Sequence, residues 1–308
     1  MTSGQWPPCV AVLGPTASGK SAVAMAAASR VVGVEIVSVD AMQVYRGMDI
    51  GTAKPTPAER AEVRHHLVDV VDPGVEFTVA EFRTAARDAI DDIARRDKRA
   101  LLVAGTGLYH RVLIDDIELP GQWPDIRAEL DRDAECVGAP TLHARLALLD
   151  PVAAARMEPT NTRRVVRALE VCVGSGRSFS SFGPGLGVYP PSPVARLGLR
   201  WTRDVLARRI EGRVRKMIDA GLVGEVGALL ERPISRTARQ ALGYKELIEH
   251  LEGRCTLDAA VAMIVTGTRQ LAVRQERWFR RDPRVRWIDI EADPVAEALP
   301  AVIDALAR

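Results

Sequence analysis

Short apolar runs alternate with helical patterns through the first hundred residues of the chain. Mostly apolar runs at 9–13, 34–39 and 100–105 have the length of buried strands. Helix-forming segments at 22–30 and 79–96 lie between them. Buried parallel strands are continuous apolar runs, and the helices that connect them cover both faces of the sheet. The pattern therefore predicts an α/β fold with a parallel sheet.

The pattern changes after Tyr109. Residues 116–195 are mostly helical segments broken by Gly- and Pro-rich stretches, the last of them a connector at 182–193. The elements expected later are a strand at 194–200, helices within 202–281, a strand at 285–290 and a helix at 295–307. We therefore predict one α/β core, residues 1–115 and 196–308, interrupted by a helical insertion domain at 116–195.

Composition is that of an ordinary soluble globular protein, with 47% hydrophobic and 27% charged residues. The longest apolar run, 22–28, is far shorter than the roughly 18 residues that a membrane span needs. The N-terminal segment lacks the pattern of a secretory signal. Four cysteines lie far apart without the spacing of a zinc site: Cys9, Cys136, Cys172 and Cys255. We expect reduced thiols, a cytoplasmic location, no membrane partner and, without a long exposed apolar stripe, a monomer.

The net charge of +2 conceals an uneven distribution along the chain. Residues 200–286 carry 19 Lys and Arg against 11 Asp and Glu, so this third is basic and the remainder is acidic. A basic segment of this size is also typical of a solvated helix surface. It favours a polyanionic partner or an anionic substrate only in combination with other signals.

A phosphate-binding motif follows the first predicted strand. Residues 14–21, GPTASGKS, match GxxxxGK[ST] between a strand and a helix, the context that the motif requires. Gly14 and Gly19 allow the tight bend that turns backbone N–H groups toward a phosphate. Lys20 adds a full charge, and the Ser21 hydroxyl is placed to ligate Mg²⁺. The predicted phosphate-binding residues are Gly14, Pro15, Thr16, Ala17, Ser18, Gly19, Lys20 and Ser21. The motif indicates a bound di- or triphosphate.

The second predicted strand ends in Asp40, where a carboxylate would face the phosphate loop. No NKxD motif, by which GTPases recognise their base, occurs in the chain. The loop at 41–55 is long, with polar and aromatic residues. A loop of this length favours recognition of something larger than a metal-bound water.

Seven sequence blocks, in their order and spacing, resemble the bacterial tRNA dimethylallyltransferases, also called tRNA isopentenyltransferases. The blocks are GPTASGKS (14–21), DAMQVYRGMDIGTAKP (40–55), HHLVDVVDP (65–73), AGTGLY (104–109), RRVVRALEV (163–171), QALGYKE (240–246) and TRQLAVRQERWFR (268–280). Together they cover almost the whole chain. The resemblance implies a P-loop NTPase-like core. It also implies transfer of a dimethylallyl group from dimethylallyl diphosphate to N6 of the adenosine immediately 3′ of the tRNA anticodon, with release of pyrophosphate.

The same resemblance assigns catalytic roles to four residues. Asp40 would be the general base, although an aspartate associated with Mg²⁺ is an alternative. Thr106 would hydrogen-bond the substrate, and it could also cap the helix that follows. Lys20 and Arg213 would stabilise the departing pyrophosphate together with Mg²⁺.

Residues that match tRNA-contacting segments of the family come from four parts of the chain. They are Asp40, Ala41, Met42, Gln43, Thr106, Arg127, Arg163, Arg164, Arg167, Gln240, Gly243, Tyr244 and Lys245. In the helical pattern after Thr256, one face is expected to carry Gln270, Arg274, Arg277 and Arg281, with Val261, Ile264, Leu271 and Trp278 on the buried side. His65 and His66 are interpreted as structural, because adjacent strand residues point to opposite faces. The partner expected from these matches is the anticodon stem-loop.

Three other functions are compatible with the motifs. A related isopentenyltransferase could act on free adenine nucleotides, although the arginines of the insertion and the basic last third argue against it. A P-loop kinase could transfer phosphate from ATP to a small molecule. A third is a nucleotide-gated RNA-binding module without catalysis. Labelled ATP and labelled dimethylallyl diphosphate, offered with their acceptors, would separate these functions, since the module would bind tRNA and leave both labels untouched.

Overall fold

A computed structural model of the chain describes residue 7 and residues 9–115, 117–182 and 185–308. The predicted elements include residues outside these ranges: 1–6 and 8 of the α/β core, 116 of the insertion, and 183 and 184 of the connector. The chain divides into two compact units. The first combines Met1–Ile114 with Pro191–Arg308, and the second is Asp115–Pro190.

The first unit is built on a parallel sheet, as predicted. Its strands within the described residues are β1 (Cys9–Leu13), β2 (Val34–Val39), β3 (His65–His66), β4 (Arg99–Ala104), β5 (Ala195–Arg200) and β6 (Val285–Asp289). The order across the sheet is β3-β2-β4-β1-β5-β6, and each neighbouring pair is parallel. Five strands lie at the predicted positions. The two-residue β3 lies where His65 and His66 were interpreted as adjacent strand residues, although so short a strand has no periodicity from which its bounds could be predicted.

Helices account for most of the remaining chain. In the first half they are α1 (Lys20–Arg30), α2 (Pro57–Glu62), α3 (Val79–Arg95), α4 (Gly107–Ile114), α5 (Pro124–Val137), α6 (Ala139–Leu149), α7 (Pro151–Ala154) and α8 (Thr162–Ser175). In the second half they are α9 (Arg203–Asp219), α10 (Leu222–Leu230), α11 (Arg236–Arg239), α12 (Tyr244–Leu251), α13 (Leu257–Arg280) and α14 (Pro294–Ala307). No helix in the described ranges is long and apolar enough to cross a membrane.

Local signals explain where α3 begins and which side it buries. The Thr78 hydroxyl accepts the Glu81 N–H while the Glu81 carboxylate accepts the Thr78 N–H, a capping box that satisfies two otherwise unpaired donors. Phe82, Ala86 and Ile90 follow at helical spacing and are fully buried. The capped, amphipathic segment therefore forms a helix that covers the sheet.

The sheet order determines where functional side chains collect. Strands β2, β4 and β1 are neighbours, and all run in the same direction. Because parallel strands end at one edge of the sheet, the segments that follow them lie side by side. These segments are 40–43, 105–106 and 14–21.

The second unit is helical, as expected of an insertion, and comprises α5 to α8 with a short 3₁₀ turn at Phe179–Ser181. It has its own apolar core, formed mainly by Leu130, Leu146 and Leu169. The unit ends at Pro190, before the predicted limit of 195. Val194 is buried in the core of the first unit, so the returning chain joins the α/β unit earlier than the pattern indicated.

Candidate functional site

The phosphate loop has the backbone conformation that its glycines allow. Gly14 and Gly19 have φ values of 149° and 95°, and Ala17 between them is also left-handed at 63°. A Cβ on Gly14 would lie 2.9 Å from the Leu199 carbonyl oxygen, and one on Gly19 would lie 2.5 Å from Pro294. Both glycines are therefore required by backbone conformation and by space.

Two side chains hold the loop by its carbonyl groups. Arg209 Nε donates to the Ala17 carbonyl at 2.9 Å, and Trp201 Nε1 donates to the Ser18 carbonyl at 3.0 Å. The Arg209 guanidinium also lies over the Trp201 ring, 4.3 Å from its centre. These contacts fix the loop with its carbonyls engaged elsewhere, which is the arrangement that leaves N–H groups for an anion.

Lys20 lies at the start of α1 in an environment that disfavours its charge. Its ammonium donates to the Pro15 carbonyl at 2.7 Å. Burial foremost, and the neighbouring Arg213, lower the pKa of Lys20 to about 7, with Asp40 partly opposing them. Burial also lowers the pKa of Arg213. Two poorly solvated cations close together favour binding of an anion.

A cavity of about 140 Å³ opens beside the phosphate loop within the first unit. The residues with predicted chemistry in its wall are Thr16, Lys20, Ser21, Asp40, Gln43 and Arg213. Two of these side chains, those of Asp40 and Lys20, lie close to Gly105. A Cβ at this glycine would lie 3.7 Å from Asp40 Oδ2 and 3.9 Å from Lys20 Cε. The structure thus brings the predicted phosphate-binding cation and the predicted base to one point.

Asp40 divides its two oxygens between the loop and the cavity. Oδ1 accepts the N–H groups of Met42 at 2.8 Å and Gln43 at 3.3 Å, whereas Oδ2 is the oxygen near Gly105. The Thr106 hydroxyl accepts the Ala41 N–H at 3.3 Å. The turn after β2 is therefore tied to the turn after β4. Thr106 supports the segment that carries Asp40.

The loop at 41–55 is pinned by a carboxylate that sequence analysis did not identify. Glu225, on α10, accepts the N–H groups of Asp49, Ile50 and Gly51 at 2.9, 2.7 and 3.2 Å. It also accepts the Tyr244 hydroxyl at 2.6 Å. Burial and Glu225 raise the pKa of Tyr244 well above its usual range. One acidic side chain therefore shapes three residues of the loop.

The predicted tRNA-contacting segment at 240–245 has mixed exposure. Gln240 and Lys245 are exposed, and Gly243, at φ 93°, begins α12. Tyr244 is 1% exposed, and its ring lies against Gly51. The Tyr244 side chain therefore has a packing role in this conformation and presents no surface to RNA.

Helix α13 presents the expected exposed face of Gln270, Arg274, Arg277 and Arg281. On the other side Ile264 is buried, while Val261, Leu271 and Trp278 are only half-buried. The deepest side chains are instead Ala260, Thr268, Ala272 and Phe279. The basic face is as predicted, and the buried face is shifted.

The sequence analysis did not identify Gln275, which also lies on α13, as a site residue. Its Oε1 accepts the Thr16 N–H at 2.8 Å, and its Nε2 donates to the Gly105 carbonyl at 2.9 Å. A signal was available in the sequence, since Leu271, Gln275 and Trp278 lie at helical spacing. A polar residue on a half-buried stripe needs polar partners, but the sequence does not reveal which.

The arginines predicted in the insertion fall into two pairs. Arg127 and Arg167 both contact Glu170, at 3.5 and 2.8 Å, and Arg167 also donates to two backbone carbonyls. Arg163 and Arg164, at the start of α8, are exposed. Within the helical unit, therefore, the first pair already has an anionic partner and the second pair lies open to solvent.

The two histidines of β3 have separate partners. His66 Nε2 lies 2.7 Å from Glu35 Oε2, and His65 Nδ1 lies 2.7 Å from the Val63 carbonyl. Burial lowers the pKa of His65, which also lines the cavity. In the described ranges no group of three or more His, Cys, Asp or Glu could hold a metal.

The fold and the site are those of a P-loop-type α/β protein. Its cavity is lined both by the phosphate loop and by a carboxylate. The family model described as IPP transferase matches residues 43–282. The tRNA dimethylallyltransferase of Geobacter metallireducens is 50% identical over 91% of this chain and 92% of its own length. The chain therefore belongs to the IPP transferase family.

Solved structures agree with this membership. A full-length tRNA isopentenylpyrophosphate transferase from Bacillus halodurans is 38% identical, with a TM-score of 0.70 over 97% of this chain and 96% of that one. A eukaryotic dimethylallyltransferase acting on tRNA is 26% identical, with a TM-score of 0.74 over 92% of this chain and 74% of that one. The match extends over the α/β fold and most of the sequence.

Proposed function

We propose that this protein transfers a dimethylallyl group from dimethylallyl diphosphate to a tRNA. The acceptor is N6 of the adenosine immediately 3′ of the anticodon, and pyrophosphate is released. The observation that carries the proposal is the convergence of Lys20, Asp40 and Arg213 on one cavity beside the phosphate loop. Family membership and the names of the relatives support the same activity.

The phosphate loop and its cations account for the leaving group. When the bond between the allylic carbon and the diphosphate oxygen breaks, negative charge increases on the diphosphate. Preorganised backbone N–H donors of the phosphate loop, apart from those of Thr16 and Ser18 that already have acceptors, act with Lys20 and Arg213 to stabilise that charge most in the transition state. This explains the use of a phosphate loop in a reaction that transfers no phosphate.

Asp40 is the residue that accepts the proton lost by the adenine. As the adenine N6 forms its bond to the allylic carbon, it must lose a proton. Oδ2 is the Asp40 oxygen that lies near Gly105, and it can accept this proton. The bonds of Oδ1 to Met42 and Gln43 hold the carboxylate in place.

Mg²⁺ fits the donor set beside the phosphate loop. Mg²⁺ is usually held by one or two protein oxygens together with substrate phosphates. The Ser21 hydroxyl lines the cavity and would supply one such oxygen. When bound, the ion neutralises charge on the diphosphate oxygens.

The tRNA contacts are assigned to exposed cations. An adenine stacked in the anticodon loop must turn outward to reach the cavity. The exposed face of α13 and Lys245 offer cations of the first unit to tRNA phosphates, and Arg163 and Arg164 offer cations of the helical unit.

Two labels distinguish this function from the alternatives. The protein is incubated with dimethylallyl diphosphate labelled in the prenyl group and unmodified tRNA, and the modified nucleoside is identified after digestion. Parallel reactions contain free AMP as acceptor, or ATP labelled in its terminal phosphate with tRNA or small-molecule acceptors. Label on adenosine beside the anticodon supports the proposal. Label on AMP alone, or transfer from ATP alone, contradicts it.

A further inference from the structure

The side-chain amide of Gln275 joins two loops that follow neighbouring strands. Its carbonyl oxygen accepts the Thr16 N–H at 2.8 Å, and its NH₂ group donates to the Gly105 carbonyl at 2.9 Å. A backbone N–H can only donate and a backbone carbonyl can only accept, so the two partners fix the orientation of the amide. Thr16 belongs to the phosphate loop after β1, and Gly105 follows β4.

These two loops carry the two halves of the proposed chemistry. On one side, Thr16 is part of the cradle for the diphosphate. On the other side, Gly105 adjoins Thr106, whose hydroxyl accepts the Ala41 N–H next to Asp40. A Cβ built on Gly105 would lie 3.4 Å from Gln275 Nε2 and 3.7 Å from Asp40 Oδ2. Gln275 therefore contacts the backbone of both loops, the one that forms the phosphate cradle and the one that supports the Asp40 segment.

We propose that Gln275 is a positioning residue that sets the separation between the diphosphate cradle and Asp40 during prenyl transfer. This inference rests on the proposed function. Gln275 acts through the backbone of Thr16 and Gly105. A displacement of reacting groups by about 1 Å can reduce a rate about 10²-fold. A bridge that fixes both loops therefore affects the rate of the chemical step more than the affinity for either substrate.

The chemistry of the side chain explains why glutamine occupies this position. The bridge needs one acceptor and one donor at the end of a side chain of this length. Glutamate would accept from Thr16 but, when ionised, could not donate to Gly105. Asparagine has both groups but is shorter by one methylene. Methionine has a similar length and volume and supplies no N–H donor, so Gln275→Met removes the bridge while filling the space.

The test compares Gln275→Met with a control on the same helix. Thr268 is buried, and its hydroxyl donates to the Ile264 carbonyl at 2.7 Å, so Thr268→Val also removes one buried hydrogen bond from α13. For both variants we measure the single-turnover rate, the affinities for dimethylallyl diphosphate and for tRNA, and the midpoint of thermal unfolding. We expect the rate of Gln275→Met to fall about 10- to 100-fold, with both affinities within about threefold of the parent. Thr268→Val should transfer within about twofold of the parent.

Hydrogen exchange at the Thr16 amide reports the bridge without any dependence on activity. In the ligand-free parent the Gln275 carbonyl protects this amide, so Gln275→Met should accelerate its exchange about tenfold or more. Inorganic pyrophosphate, which supplies another acceptor, should restore protection in the variant.

Three outcomes overturn the inference in distinguishable ways. Unchanged exchange of Thr16 in Gln275→Met would show that the bridge is absent in solution. A parent-like transfer rate in that variant, or a fall explained by weaker binding or by unfolding, would overturn the positioning role alone. Absence of prenyl transfer by the parent would overturn the proposed function and this inference with it.

Discussion

Two acidic residues mark the ends of strand β2, Glu35 near its start and Asp40 just after its last residue. Their environments are opposite. Glu35, near the start, is 2% exposed and accepts bonds from Arg96, Lys98 and His66. These donors, Arg96 foremost, hold the pKa of Glu35 well below its usual range. Asp40, just after the end of the strand, has one oxygen bound to backbone N–H groups and the other near the cavity.

The cations beside the two carboxylates differ in the same way. Arg96 and Lys98 form ion pairs with Glu35. The ammonium of Lys20, by contrast, donates to a backbone carbonyl, which leaves its charge without an anionic contact in the described residues. Cations already paired with a buried carboxylate stabilise the fold. Cations held near a carboxylate without neutralising it are available for another anion.

The cavity cations should give the largest effect. Lys20→Ala combined with Arg213→Ala removes both charges that face the leaving group. Loss of a single donor to a developing anion typically reduces turnover about 10²- to 10³-fold, so the double variant should lose about 10³-fold or more. Transfer rates at saturating tRNA and a range of donor concentrations provide the measurement. A loss below about tenfold would show that these cations do not hold the diphosphate.

The lowered pKa of Lys20 predicts proton uptake on binding. The ligand-free amine, with a pKa of about 7, loses its charge as the pH rises above that value. A bound diphosphate favours the charged form, so above pH 7 binding should take up a proton, approaching one per site. Calorimetry of pyrophosphate binding at pH 8, in buffers of different ionisation enthalpy, measures this uptake. Lys20→Arg stays charged and should abolish the part due to Lys20.

The helical unit repeats the contrast between paired and unpaired cations. Arg127 and Arg167 contact Glu170, whereas Arg163 and Arg164 are exposed. Each phosphate contact contributes about 0.7 to 0.9 to the slope of log affinity against log salt. The variant Arg163→Ala with Arg164→Ala should therefore lower the slope for tRNA by about 1.4 to 1.8. Arg127→Ala with Arg167→Ala is the matched control, and an equal reduction there would remove the distinction.

Glu35→Gln should have the smallest effect on transfer and a clear effect on stability. Glutamine weakens the hydrogen bonds to partly exposed Arg96 and Lys98, which should cost about 1 to 3 kcal/mol. Because the pKa of Glu35 is lowered in the folded protein, its contribution is present above about pH 4.3 and is lost as the pH falls below it. The deficit in unfolding free energy should therefore shrink in acid. Turnover at neutral pH should stay within about twofold of the parent, and a larger loss would contradict a purely structural role.

The sequence predicted those parts of the fold and site that depend on local pattern. Strands β1, β2 and β4 are mostly apolar runs, so the phosphate loop and Asp40 could be placed at their ends. The exposed basic face of α13 followed from helical spacing. The resemblance, and not the pattern, supplied Arg213.

The supporting residues could not be predicted because their partners are distant in the chain. Gln275 contacts Gly105 across 170 residues, and Glu225 contacts Ile50 across 175. Their side chains bind backbone groups, which every residue possesses, so no sequence pattern identifies the partner. For Tyr244 the sequence suggested a function but did not reveal the packing of the side chain. The residue was expected at a tRNA surface, and its burial depends on packing against Gly51.

The most direct test of the contrast between Glu35 and Asp40 is the single-turnover rate of Asp40→Asn. The substitution keeps the size of the side chain and its bonds to Met42 and Gln43, and it removes the proton acceptor. With tRNA and dimethylallyl diphosphate both saturating, we expect the rate to fall about 10²- to 10⁴-fold, while tRNA affinity stays within about threefold of the parent. A rate within twofold of the parent would contradict the assignment of Asp40 as the base.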